Sequence, residues 1–324
     1  MRFLLFIAIV IGGFWAPVVA DSTPVRVGVL TDGESAYWTE MGDALTVLAE
    51  ERGIEVDFRI PDPATVEQQE TLVRDMLASD LAALALCPIN PETQTALLNE
   101  SGAAVPLITV MRDAPESNRR LFIGRDEKEA GRLLAQAALR HTPAMPVMVF
   151  CKDPAAPEAQ QRIDSMKEAF ASSYTVLGGA QDDLGDRMLA WTNMQDVIRA
   201  RPEIAAFIGF DAYHGPLLVR AVTEGNRARM VRIINFGATP ESKAALEEGI
   251  VHALVVDDGE ACAEIVLEWL VALARGDGSE LPEDGIIAAP IRTIEAETSL
   301  GIEEMMDELQ VQAPWISEVA PGTP

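Results

Sequence analysis

The sequence predicts an α/β protein built as two similar Rossmann-like lobes, each a parallel sheet wrapped by helices. Three observations lead there. From Val25 to Ile294, short apolar runs alternate with segments of helical period. Strands that alternate with helices pair in parallel through right-handed crossovers. At 324 residues the chain exceeds what one core usually holds, so the alternation is divided between two units. Finally, residues 112–132, RDAPESNRRLFIGRDEKEAGR, enclose the short apolar run Leu121–Ile123 between a charged turn and a charged helix. That run is a candidate strand at the crossing between lobes.

The elements follow in order. VRVGVL (25–30) is an apolar strand, and residues 36–52 are helical up to a stop at Gly53. IEVDFRI (54–60) alternates as a strand, 64–79 is helical, LAALALC (81–87) is a buried strand, 91–101 is helical and VPLITV (105–110) is a strand. Asp113, Pro115 and Ser117 favour a turn. Gly124 is expected to let the chain bend, and Asp126 to cap helix 126–141 with Glu129 completing a capping box. The solvated face of that region takes Arg119, Arg120, Glu127 and Lys128. The second series runs PVMVFC (146–151), helix 156–171, YTVLGGA (174–180), helix 186–200, IAAFIGF (204–210), helix 214–225 and MVRIINF (230–236). Helix 240–248, VHALVV (251–256), helix 260–275 and GIIAAPIRTI (285–294) complete it.

The ends read differently. Residues 1–20 carry Arg2, an apolar run and Val18-Val19-Ala20, the pattern of a cleavable signal peptide that leaves Asp21 first. A membrane anchor is the alternative. Residues 300–324 hold a short acidic helix, GIEEMMDEL, and a fraying end. A net charge of -26 and a pI near 4.4 oppose binding to nucleic acid or anionic lipid. Cys87, Cys151 and Cys262 are odd in number and scattered, so buried thiols are expected rather than a disulfide framework. His141, His214 and His252 are too dispersed to form a metal site, and no cofactor motif is present.

The stretches LTDGESAYWTEMGDALTVLAEERGIEV, LALCPINPETQTALLNESGAAVPLITV and RDAPESNRRLFIGRDEKEAGRLLA resemble the type I periplasmic sugar-binding proteins, the ribose-binding-like family. The resemblance implies two lobes joined by a three-strand hinge that closes on a small ligand. Residues 25–124 plus 258–288 would form one lobe, and 125–257 plus 289–299 the other. It further implies a monomeric, non-enzymatic periplasmic protein that presents a small polar ligand to an ABC permease. The alternative is a subunit reporting to a membrane sensor or kinase.

Family members grip sugar hydroxyls with Asp, Asn, Gln and Arg and stack rings on the sugar face. Carried over residue by residue, Tyr37 and Trp38 would stack on the ligand, with core packing as the alternative. Met111, Arg112 and Asp113 fall after the fourth strand, where the family has an acid at the position of Met111. Arg162 reads equally as a cleft arginine or a solvated one, while Asn90 reads as a helix cap. His214 falls near a family Asn, Gly237 on a family Asp and Asp257 on a family Gln. These departures point away from an ordinary sugar. Asp257 would suit an amine-bearing ligand unless Arg112 or Arg162 neutralises it.

Two other classes lack their signatures. A transcription regulator of this fold needs an N-terminal DNA-binding segment, where this chain has an apolar leader. An enzyme needs a nucleophile elbow, phosphate loop or metal cluster, and adjacent Asp257 and Asp258 point to opposite faces.

Overall fold

The computed structural model describes residues 24–142, 146–170, 176–278 and 281–295. The expected leader at 1–20 and tail at 300–324 lie outside them.

Strands β1 (Arg26–Leu30), β2 (Glu55–Arg59), β3 (Ala83–Leu86), β4 (Leu107–Val110), β5 (Leu121–Arg125) and β11 (Ile286–Ala289) form one sheet. Its order is β11-β5-β4-β3-β1-β2, and every pairing is parallel. Strands β6 (Val147–Cys151), β7 (Val176–Asp182), β8 (Ala206–Gly209), β9 (Arg232–Phe236), β10 (Ala253–Asp257) and β12 (Ile291–Glu295) form the second. Its order is β12-β10-β9-β8-β6-β7, parallel except where β12 returns along β10.

Period-two alternation explains how both faces of the first sheet are covered. Val27, Val29, Ala85 and Ile108 pack on α1 (Ala36–Arg52) and α9 (Gly259–Ala274). Leu30, Leu84, Leu86 and Leu107 point the other way, onto α2 (Val66–Leu77) and α3 (Thr95–Ala104). The second sheet repeats this. Val147, Val149 and Ile208 meet α4 (Glu127–His141) and α5 (Pro157–Phe170). Met148, Phe150 and Phe207 meet α6 (Arg187–Ala200), α7 (His214–Glu224) and α8 (Pro240–Glu247). Each fully buried leucine or valine contributes about 1.5–3 kcal/mol, so these four clusters dominate the fold's stability.

The chain passes between the sheets three times. β5 belongs to the first sheet while α4 packs on the second; β10 belongs to the second while α9 packs on the first. The third passage is Pro290, which removes a ladder donor and splits the expected single run into β11 and β12.

The charged segment before β5 is a compact crossover. Parallel strands usually need a dozen or more connecting residues, yet β4 and β5 pair across a helix-free connection of ten. Asp113 makes this possible, accepting from the Ala114 amide at 2.7 Å and from Arg119 Nη2 at 2.8 Å. Arg119 then donates to the Gly285 carbonyl of the neighbouring chain passage at 3.2 Å. It is therefore a structural staple, not a solvated charge. Asp126 caps α4 as expected, but Glu129 pairs with Arg132 instead of closing a capping box. Gly124 is required by packing, because a Cβ there would lie 1.9 Å from the Phe122 ring.

Candidate functional site

In both sheets the parallel strands end at loops, and ligands bind beyond such carboxyl ends in open α/β sheets. A cavity of about 560 Å³ lies there. Asp32, Tyr37 and Trp38 follow β1, Cys87 follows β3, and Met111 and Arg112 follow β4. Arg125 and Asp257, the last residues of β5 and β10, complete the wall from the two crossings.

The wall is tied together by charge. Ser35 caps α1 by accepting from the Trp38 amide at 3.2 Å, which turns the indole back toward the loop. Its Nε1–H donates to Asp32 at 2.7 Å. The other oxygen of Asp32 lies 3.2 Å from Arg112 Nη2, whose Nη1 donates to the carbonyls of Pro88 and Ile89 at 2.8 and 2.7 Å. Arg112 thus laces the loops after β1, β3 and β4. Tyr37 and Trp38 meet edge to face at 4.8 Å, and Trp38 is only 5 % exposed. They form part of the core as well as of the cavity wall. Burial and the neighbouring Cys262 and Asp257 hold the Tyr37 hydroxyl far above its usual pKa.

At the crossings, Arg125 binds Asp257 with two hydrogen bonds, 2.8 and 2.6 Å long. Its Nη1 reaches Glu127 at 3.2 Å. Glu127 in turn accepts from Arg162 Nε at 2.8 Å and from Nη2, while Arg162 Nη1 donates to the Phe210 carbonyl at 2.8 Å. Both guanidinium groups lie on the Phe236 ring, at 4.7 and 4.3 Å from its centre. Burial works to lower the Arg125 pKa, but the bonds and charge of Asp257, then Glu127, raise it.

Several expected site residues sit elsewhere. Arg162 is buried against Glu127, neither solvated nor in the cavity wall. Asp113 staples the crossover and borders a neighbouring cavity of about 630 Å³, with Arg112 between the two. His214 is wholly buried: Nδ1 accepts from the Asp211 amide at 3.1 Å and Nε2 meets Asp183 at 2.7 Å. Asp183 also accepts from the Tyr213 hydroxyl at 2.5 Å. Burial works to raise the Asp183 pKa, but these bonds hold it below the ordinary value. His214 is thereby occupied in tying the loops after β7 and β8. Gly237 has φ +77°, and a Cβ there would meet Ala212 Cβ at 2.9 Å, so backbone geometry excludes the family's acid. Met111 takes a left-handed φ of 60° in the cavity wall. Asn90 accepts from the Thr93 amide at 3.1 Å, capping the turn ahead of α3.

The sequence reading missed Asp32, Arg125 and Glu127. Arg125 had a usable signal: it ends an apolar strand beside a crossing. Asp258 caps α9 by accepting from the Ala261 amide at 3.1 Å, so it serves a different purpose from Asp257. Cys87, Cys151 and Cys262 are free and buried, and burial raises all three thiols, the last two to about 11. Among the described residues, no group of three or more His, Cys, Asp or Glu side chains is placed to hold a metal.

Two mostly parallel sheets, three crossings and a polar cavity at the strand ends make a two-lobed α/β protein. The periplasmic binding protein domain model matches residues 27–278, and the chain belongs to that family. Among solved structures, the sugar-binding protein of a sugar ABC transporter from Bacillus halodurans is similar at 20% identity and TM-score 0.72, covering 84% of this chain and 98% of that one. The arabinose-binding protein AraP from Geobacillus stearothermophilus is similar at 19% identity and TM-score 0.74, covering 88% and 99%. An ABC transporter solute-binding protein from Burkholderia graminis, in complex with D-arabinose, is similar at 17% identity and TM-score 0.66, covering 85% and 96%.

Proposed function

We propose that this protein is a periplasmic solute-binding protein. It takes a small polar ligand, a sugar or sugar derivative, between its lobes by hinge closure and presents it to an ABC permease. The observation that carries this reading is the cavity at the strand ends, whose wall combines Asp32 and Arg112 from one lobe with the Arg125–Asp257 pair at the crossings. Donors and acceptors there are held by partners in place, so a ligand meets a preorganised polar surface. The similar proteins named for sugars support the ligand class, and the leader expected at residues 1–20 supports export.

The same arrangement argues for binding rather than catalysis. The His214–Asp183 pair is sealed inside, 0 % and 1 % exposed, and burial raises the thiols away from the reactive thiolate range. The test is a thermal-shift screen of pentoses, hexoses, polyols and amino sugars, followed by calorimetry. A true ligand at a hundred times its Kd stabilises the fold by about 2.7 kcal/mol. A flat response across the panel, with the protein folded, overturns the reading.

A further inference from the structure

We propose that Glu127 is an internal carboxylate filling an anion-binding position made by Arg125 and Arg162, so that the cleft admits uncharged ligands and turns carboxylates away. This rests on the binding-protein reading and assigns its selectivity. Glu127 gives one oxygen to Arg125 Nη1 at 3.2 Å and the other to Nε and Nη2 of Arg162. The two guanidinium groups share the Phe236 ring as a platform. Two stacked arginines converging on one point make a receptor for a planar anion.

The chain supplies that anion itself, from the first turn of α4, where the helix dipole also favours a carboxylate. With Asp257 on the far side of Arg125, the four side chains carry no net charge. A ligand carboxylate reaches this position through Arg125, the arginine of the two that lines the cavity, and both ways of binding there are unfavourable. Displacing Glu127 strands a carboxylate whose side chain is only 13 % exposed, and sitting beside it brings two like charges together. A neutral ligand meets neither cost.

The test uses Glu127→Gln, which keeps the shape and removes the charge. Calorimetry compares D-galacturonate with D-galactose and D-glucuronate with D-glucose. Thermal shift compares sodium acetate with sodium chloride at equal ionic strength. In the wild type the neutral sugar of a bound pair is preferred and acetate has no specific effect. Glu127→Gln improves the acid relative to its neutral partner by about tenfold or more, and acetate now raises its melting temperature. Adding Arg162→Met abolishes both gains. An unchanged acid-to-neutral ratio, or the same acetate response in both proteins, overturns the proposal. Should Glu127→Gln not fold, Glu127→Ser refolded in acetate or chloride decides. Recovery in acetate alone supports the proposal, and equal recovery in both salts overturns it. If no sugar shifts the wild type, the binding-protein reading is what fails, and the acetate arm still settles the role of Glu127.

Discussion

Arg125 and Asp257 face each other across the first two crossings, Nε to Oδ1 at 2.8 Å and Nη2 to Oδ2 at 2.6 Å. The last residue of β5 is thereby tied to the last residue of β10, one from each sheet. The arginine that neutralises Asp257 is thus neither Arg112, which pairs with Asp32, nor Arg162, which pairs with Glu127. Asp257 is engaged by the protein itself, which removes the ground for expecting a ligand amine beside it.

Breaking this pair should cost stability. Its side chains are 26 % and 15 % exposed, so either partner left alone is a poorly hydrated charge. Arg125→Met and Asp257→Asn should each lower the unfolding free energy by about 1–3 kcal/mol. The double variant should lose less than both together, by about 1 kcal/mol. Urea unfolding of the four proteins measures the cycle, and strictly additive losses would mean the pair is uncoupled.

A pH dependence follows from His252. Burial first, then the charges of Arg232 and His141, push its pKa down from 6.5 to about 3. Arg232 Nη1 lies 3.1 Å from its Nε2, and the His141 ring, also lowered chiefly by burial, is 5.8 Å away. The folded state keeps His252 neutral where the unfolded chain takes up a proton. The stability it confers is therefore complete above pH 6.5 and is lost as pH falls from 6.5 toward about 3. Between pH 7 and 5 that amounts to about 2 kcal/mol. Denaturant titrations across this window measure the slope, to which His141 adds in the same direction. Glutamine at position 252 should flatten the slope; an unchanged slope refutes the assignment.

Met111 should accept an acid. Its φ of 60° favours Asp or Asn over a long side chain, and it already borders the cavity beside Arg112. Met111→Asp should fold with stability within about 1 kcal/mol of the wild type. Affinity for a neutral sugar should rise about tenfold, as expected for a new acceptor gripping a hydroxyl. Calorimetry with a sugar found in the thermal screen reads this directly.

Gly237 should refuse the same change. A Cβ there meets Ala212 at 2.9 Å, and φ is +77°. Gly237→Asp should therefore destabilise the fold by about 1–3 kcal/mol. A melting temperature equal to the wild type would show that the turn relaxes freely.

Alternation of apolar runs and helical segments was enough to place the α/β class, two sheets and, among the described residues, the elements within a few residues, except that the run 285–294 divides into two strands. These are local properties: side-chain period, caps and Pro or Gly at the ends act within one turn or strand. Val27 and Val29 against Leu30 already showed two covered faces. Even Asp126 as a cap was legible, because the cap lies two and three residues from the amides it serves.

The candidate site was legible only where it follows strand order, as with Tyr37, Trp38, Met111, Arg112 and Asp257, which line the cavity. What each charge does was decided by partners distant in sequence. Glu127 and Arg119 lie in a run of charges that reads as solvated, yet Glu127 meets Arg162 across two packed helices and Arg119 reaches Gly285 on a neighbouring passage. His214 pairs with Asp183 one loop earlier, and Arg125 waits for Asp257, 132 residues later. A charge carries no local signature of its counter-ion. Only the close approach of strand ends, set by the packing of the four apolar clusters, settles which charges neutralise each other and which border the cavity.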